Sequence, residues 1–282
     1  MANEDIKAQP FFKERETEVD TLEKAEKVGI QIAKIAKIKK EINSPPNDPA
    51  QNFLHDYWNA HKSRPFYCAF LATDLRGFTQ LSYEKNAKDI AAIISIFSNI
   101  TGSLTEIAGG HVLKFLGDGV ISFFPCQKIE DSIKRTLLCS YAISRAMHEI
   151  SDVMHDLGMQ KVDYGIACDS GYAIAVKIGS PYSKIHYDII GKPINVSMKI
   201  QRLAEKGNII VTENIVNMVN ESNQKNLNMF KNMFKHFNIE DKRHPSGFIG
   251  WMLRSTLFFR SRKPENLFYF MPKISKKEEK EE

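Results

Sequence analysis

Apolar residues along the chain change their spacing in a way that maps out successive elements. Val28, Ile32, Ile35, Ile38 and Ile42 recur every three or four positions with Lys and Glu between them, the period of a helix face, and predict one helix from about Glu14 to Ile42. That helix either lies on the main domain or pairs as a short coiled coil. Asn43-Ser44-Pro45-Pro46-Asn47-Asp48-Pro49 ends it and reads as a linker. Phe66-Tyr67-Cys68-Ala69-Phe70-Leu71-Ala72 is an unbroken apolar run of strand length, as in a strand buried on both faces. A helical stretch follows from about Ala87 to Ile107, closed by Gly109-Gly110.

Val112–Phe115 and Val120–Phe124 flank Leu116-Gly117-Asp118-Gly119 and predict a hairpin, since Gly accepts the positive φ of a tight turn. Asp131 to about Leu157 is helical, and Val162–Ala167 with Ala173–Ile178 read as a second strand pair. Strand, helix, hairpin, helix, strand is the order of a ferredoxin-like α+β fold with an antiparallel sheet and packed helices, preceded here by an N-terminal helix. Met229, Phe230, Met233, Phe234 and Phe237 form a stripe at helical spacing, interleaved with Lys231, Lys235 and His236, that packs on the sheet or, as the alternative, meets a membrane or a partner helix. The expected division is residues 1–50 for helix and linker, 60–220 for the main domain, 221–271 for a segment completing it, and 272–282 for a charged, disordered tail.

Composition narrows the function. The net charge of +5 over 282 residues is small and dispersed, which suits an anionic small molecule and gives no footprint for nucleic acid. Cys68, Cys126, Cys139 and Cys168 are isolated, and the histidines lack metal-ligand spacing, so neither a zinc site nor a disulfide framework is expected. The polar N-terminus has no secretory pattern, and the apolar stretches near Ile90–Ile100 and Gly247–Phe259 are short or interrupted. A cytoplasmic protein without membrane insertion is the expectation.

Two acidic residues carry the candidate chemistry. Asp74 stands at the end of the buried strand and Asp118 in the hairpin turn, where neighbouring strand ends bring carboxylates together for hard cations. Singly, Asp74 reads as a helix cap and Asp118 as a turn residue. The turn after Asp74 offers backbone N–H groups to a phosphate.

Thr73-Asp74-Leu75-Arg76-Gly77-Phe78-Thr79-Gln80-Leu81-Ser82 resembles the first metal motif of class III nucleotidyl (adenylate/guanylate) cyclases. Gly109 to Gly119 resembles the second, and Tyr187-Asp188-Ile189-Ile190-Gly191-Lys192-Pro193-Ile194-Asn195-Val196-Ser197 the third, in family order over about Pro65 to Val219. The resemblance implies that Asp74, Asp118 and the carbonyl of Leu75 hold two divalent ions, Mg²⁺ or Mn²⁺. It implies that Lys114 and Asp188 read the base of a nucleoside triphosphate, an adenine-type pair where guanylate cyclases carry Glu and Cys. Asn195 then orients the ribose, and Lys199 stands where the family places Arg, a point charge in place of a planar fork. Gly77, Phe78 and Thr79 would bind phosphate, and Lys263 either does so too or is a solvated lysine. Tyr172 stands where some cyclases carry a phosphate-binding Arg.

The implied activity is conversion of ATP to 3′,5′-cyclic AMP by a symmetric homodimer, metals from one protomer and Lys114, Asp188, Asn195 and Lys199 from the other. A pyrimidine (uridylate or cytidylate) cyclase of antiphage signalling, which the stand-alone build, Lys199 and Tyr172 also resemble, is the alternative within the enzyme class. A guanylate cyclase ranks after it. A catalytically silent nucleotide-binding or dimerisation module is the alternative outside.

Overall fold

The computed structural model describes residues 48–62, 64–156, 161–180, 185–204, 207–223, 225–228, 230–231, 234–238 and 249–253. The helix expected over Glu14–Ile42, the tail and Lys263 lie outside the described residues.

An apolar chain segment flanked by long amphipathic helices buries itself as a central strand, and β1 (Pro65–Arg76) does so. It pairs antiparallel with β3 (Gly119–Pro125) on one edge and, along its whole length, with β4 (Asp163–Ile178) on the other. Strand β2 (His111–Phe115) closes the hairpin with β3, and β5 (His186–Ile190) returns along the end of β4. Beyond β4 come β6 (Ile209–Thr212), parallel to it, then β8 (Ile249–Leu253) and β7 (Phe234–Asn238). The sheet order is β2-β3-β1-β4-β6-β8-β7. An α+β fold with a largely antiparallel sheet is therefore present.

Side chains of β1 alternate between two cores, which is why the run is apolar without interruption. Ala69, Leu71 and Leu75 join the larger core with α3 (Ala87–Ile107) and α4 (Ile129–Asp156); Cys68 and Phe70 join a smaller one on the other face. Helix α3 is capped by Asn86, whose side chain accepts from the N–H groups of Lys88 and Asp89. By length and composition α3 would pass for a membrane span, yet Ile93, Ile96, Phe97, Ile100 and Leu104 are buried in the core, each stabilising the fold by about 2 kcal/mol. Ser132 of α4 ties helix to sheet, accepting from the Ala69 N–H at 2.8 Å and donating to the Phe124 carbonyl at 2.5 Å.

The linker prediction misses a helix. Asp48 accepts from the Gln51 N–H, Pro49 takes the first helical position, and α1 runs Pro49–His61. Proline breaks a helix interior but suits its first turn, where its missing N–H costs nothing. Helix α1 covers the smaller core with Ala50, Leu54, Phe53 and Tyr57.

Two further expectations change. The segment expected as a strand pair over Val162–Ile178 is one strand, because Asp169-Ser170-Gly171-Tyr172 stays extended opposite Cys68, Phe70 and their neighbours. The turn-forming side chain of Asp169 is occupied instead by the Thr212 hydroxyl at 2.5 Å and the Ser170 N–H at 2.8 Å. The aromatic stripe is no continuous helix either: α7 covers only Lys225–Asn228, Phe230 is buried against the Tyr141 ring, and Phe234 opens β7. Helix α2 (Phe78–Glu84), helix α5 (Lys192–Ile200) with its 3₁₀ extension Gln201–Leu203, and helix α6 (Glu213–Glu221) complete the described elements.

Asp169 is 2% exposed, and burial pushes its carboxyl up to about 6 against the bonds from Thr212, Ser170 and Asn214. An unfolded Asp titrates near 3.9, so the folded state holds the proton more tightly and its advantage is complete below about pH 4. Stability falls as pH rises from about 4 to 6 on this account. Asn keeps the Oδ1 acceptor, so Asp169→Asn should remove this dependence and be roughly 1–3 kcal/mol more stable than the parent at pH 7. Urea unfolding across that range tests it; a parent–variant difference independent of pH contradicts it.

Candidate active site

The two carboxylates meet at one corner of the sheet. Asp74, at the end of β1, lies opposite Gly119 in the β1–β3 register, and Asp118 precedes Gly119 in the turn. The Leu75 N–H donates to the Asp118 carbonyl at 2.9 Å, which locks the turn against the strand end. A Cβ at position 119 would lie 3.1 Å from the Thr73 carbonyl oxygen, a tight approach, and 3.4 Å from Asp74 Oδ1, an ordinary contact, so glycine lets the turn lie close against the end of β1.

Burial raises the Asp74 carboxyl above its ordinary value, and the charge of Asp118 raises it further. A Gln201 hydrogen bond, Arg76 and Arg202 act in the opposite direction. Arg76 was not singled out by sequence, although its spacing of two on a strand places it on the face of Asp74. It donates to Asp74 Oδ2 at 3.1 Å, to the Ala204 carbonyl at 2.8 Å, and to the Gln201 carbonyl and side chain. Two mutually repelling oxygen donors with an open oxygen face fit a hard divalent cation, whose charge would relieve the repulsion. Among the described residues no cluster of three or more acidic, His or Cys side chains exists, so Asp74 and Asp118 are the protein carboxylates available there.

Gly77 adopts a left-handed φ of 67° and precedes α2, so Phe78 and Thr79 present the first N–H groups of that helix beside Asp74. Leu75 itself is buried in the larger core.

Lys114 and Asp188 come together although 74 positions separate them. A β-bulge at Leu113 achieves part of this: Val112 pairs with Ser122, while Lys114 pairs with Ile121. The extra residue turns Lys114 to the face that Ile121 shares with the smaller core, where regular alternation would have aimed it at α3. Lys114 Nζ donates to Asp188 Oδ2 at 2.5 Å, and Asp188 Oδ1 accepts from the Ile189 N–H at 2.8 Å.

These two residues line a cavity of about 250 Å³ together with Ile121, Ile194, Asn195 and Met198. Gly191 leads into α5, which carries Asn195 and Lys199 one turn apart. Lys199 is exposed and does not line the cavity, nor do Asp74 and Asp118. The structure thus assembles Lys114, Asp188 and Asn195 in one place and Asp74 with Asp118 in another. The apolar lining was not legible in sequence, because Ile and Met on α5 look the same whether they meet core or cavity. Of the cavity's lining, Leu116, Ile190 and Met198 are exposed; elsewhere Tyr172 projects 67% exposed with its ring edge-on to Tyr67.

The sheet thus carries a carboxylate corner and, separately, a cavity lined by a Lys–Asp pair. Residues 63–245 match the adenylate and guanylate cyclase catalytic domain, and the chain belongs to that family. Among curated proteins it is similar to an adenylate cyclase of Anabaena cylindrica, 25% identical over 148 residues, 52% of this chain and 29% of that protein. It is also similar to the photoactivated adenylate cyclase subunit alpha of Euglena gracilis, 26% identical over 147 residues, 51% of this chain and 14% of that one. The chain thus spans under a third of the length of these relatives. Among solved structures the guanylyl cyclase Cya2 superposes with a TM-score of 0.59 at 20% identity, covering 68% of this chain and 93% of that one. The adenylyl cyclase CyaB from P. aeruginosa gives 0.58 at 19% identity, covering 68% and 95%. These likenesses show the fold.

Gly119→Ala should press its Cβ against the Thr73 carbonyl oxygen, displace the turn that carries Asp118 and weaken Mn²⁺ binding by about tenfold, a loss of roughly 1.4 kcal/mol. Calorimetric Mn²⁺ titration of parent and variant checks this; equal affinities refute the reading of the corner.

Proposed function

We propose that the protein is a nucleotidyl cyclase that converts ATP to 3′,5′-cyclic AMP and pyrophosphate as a symmetric homodimer. The observation that carries the base assignment is the Lys114–Asp188 pair at the end of the cavity. Adenine presents a ring-nitrogen acceptor beside an exocyclic amine donor, and Lys and Asp offer the complementary donor and acceptor. The pair already formed between them keeps both charges compensated before a base enters, and the base exchanges one set of hydrogen bonds for another.

Asn195, on the cavity wall, orients the ribose, and Lys199, one turn further along α5, neutralises charge building on the α-phosphate. The N–H groups of Gly77, Phe78 and Thr79 receive phosphate oxygens beside the carboxylate corner. Bound at Asp74, Asp118 and the Leu75 carbonyl, two divalent cations, Mg²⁺ or Mn²⁺, would lower the pKa of the ribose 3′-hydroxyl and neutralise the leaving pyrophosphate. Arg76 holds Asp74 in place in the meantime by occupying one of its oxygens.

The separation of the two residue groups supports the dimer. Asp74 and Asp118 do not line the cavity of their own chain, so a second copy supplies the partner half of each site. Exposed Leu116, Ile190 and Met198 at the cavity provide apolar surface for that pairing.

Incubation with each ribonucleoside triphosphate and Mn²⁺, with mass spectrometry of the products, should yield cyclic AMP as the main product. Cyclic UMP or CMP would overturn the base assignment and keep the chemistry; no cyclic product with the dimer intact would leave a binding module. Asp118→Ala should lower turnover by about a thousandfold or more through loss of a metal ligand.

A further inference from the structure

Asp188 can select a base only if its strand holds still, and β5 pairs with β4 alone among the described strands. Residues of an antiparallel strand point both backbone groups alternately toward and away from the partner. At Tyr187 both groups meet one side chain: the Tyr187 N–H donates to Gln51 Oε1 at 2.8 Å, and Gln51 Nε2 donates to the Tyr187 carbonyl at 2.7 Å. The side-chain amide of Gln51 therefore stands where a neighbouring strand would have been. Two backbone groups that water would otherwise loosely satisfy are fixed to a helix.

The grip extends beyond the backbone. The Tyr187 ring meets His55 edge-on at 5.4 Å and Trp58 at 6.1 Å between centroids. Helix α1 is in turn anchored: Asp48 caps it through the Gln51 N–H, Ala50 and Leu54 are buried, and Phe53 lies 5.3 Å from the His111 ring and 5.7 Å from Phe123. One helix thus contacts β5 a single residue before Asp188 and β2 three residues before Lys114. Asp188 has little freedom of its own, since Oδ1 is tied to the Ile189 N–H and Oδ2 to Lys114. Its position follows the backbone that Gln51 holds.

We propose that Gln51 is a positioning residue for base selection, holding the free edge of β5 so that Asp188 presents its carboxylate to the base in the Lys114 cavity. The proposal rests on the reading of Lys114 and Asp188 as base contacts. Gln51 touches no substrate atom and acts only through Tyr187 and Asp188.

The full chain is compared with Gln51→Met, which keeps side-chain length without either hydrogen bond, and with Gln51→Asn, which is too short to reach Tyr187. Steady-state kinetics are measured with all four ribonucleoside triphosphates at saturating Mn²⁺, beside thermal unfolding. In both variants KM for the preferred nucleotide should rise by about tenfold, and the ratio of its kcat/KM to that of the next best should fall by about as much. Maximal kcat and the Mn²⁺ dependence should stay within about twofold, because Asp74 and Asp118 are held by other strands. Unchanged KM and selectivity overturn the proposal. So does a parallel fall of activity on every nucleotide with a lowered melting temperature, which marks a merely structural residue. A parent protein that cyclises none of the four overturns this proposal and the cyclase reading together.

Discussion

Strand β1 is paired along both edges and buried on both faces, and the carboxylate corner is positioned by reference to it. Its antiparallel register with β4 covers all of Pro65–Arg76, and its register with β3 runs from Cys68 to Asp74. A slip of one residue would exchange the larger core for the smaller one along its whole length. That cost pins Asp74 at the strand end opposite Gly119. The rest of the carboxylate corner follows, because the β2–β3 turn holding Asp118 is fixed to the same strand through the Leu75 N–H.

The cavity is built on a different principle. Its polar end needs Lys114 from β2 and Asp188 from β5, which reach it by a bulge and by a returning hairpin. Neither residue is held by a core of its own type, so hydrogen bonds and an ion pair do the positioning. Helix α1 joins the two strands from outside through Phe53 and Gln51. Arg76 provides a comparable link at the other corner, tying Asp74 to the carbonyls that end α5 and its extension. The charged groups at both places are thus kept compensated within the chain.

Much of this was legible in sequence. The apolar run of β1, the period of α3 between Asn86 and Gly109, and the Gly-Asp-Gly turn each report a local constraint that burial or backbone geometry enforces. Asp74 and Asp118 were legible for the same reason, since both sit at element ends that local patterns mark. The extended course of Asp169–Tyr172 was not, because turn-forming residues remain extended when a long neighbouring strand and Thr212 satisfy their polar groups. Helix α1 was hidden by its prolines, and the stripe from Met229 to Phe237 kept a helical period while its later part pairs in the sheet.

The sequence by itself determined β1, the long helices α3 and α4, the β2–β3 turn, the carboxylates at their ends and the family motifs that contain them, because those depend on neighbours within a few positions. Only the tertiary structure decided that Lys114 meets Asp188, that Asn195 shares their cavity while Lys199 does not, and that Gln51 meets Tyr187 and Arg76 ties Asp74 to the Ala204 carbonyl. Those pairings join residues distant along the chain. They depend on strand register and on one extra residue in β2, quantities that a local pattern does not contain.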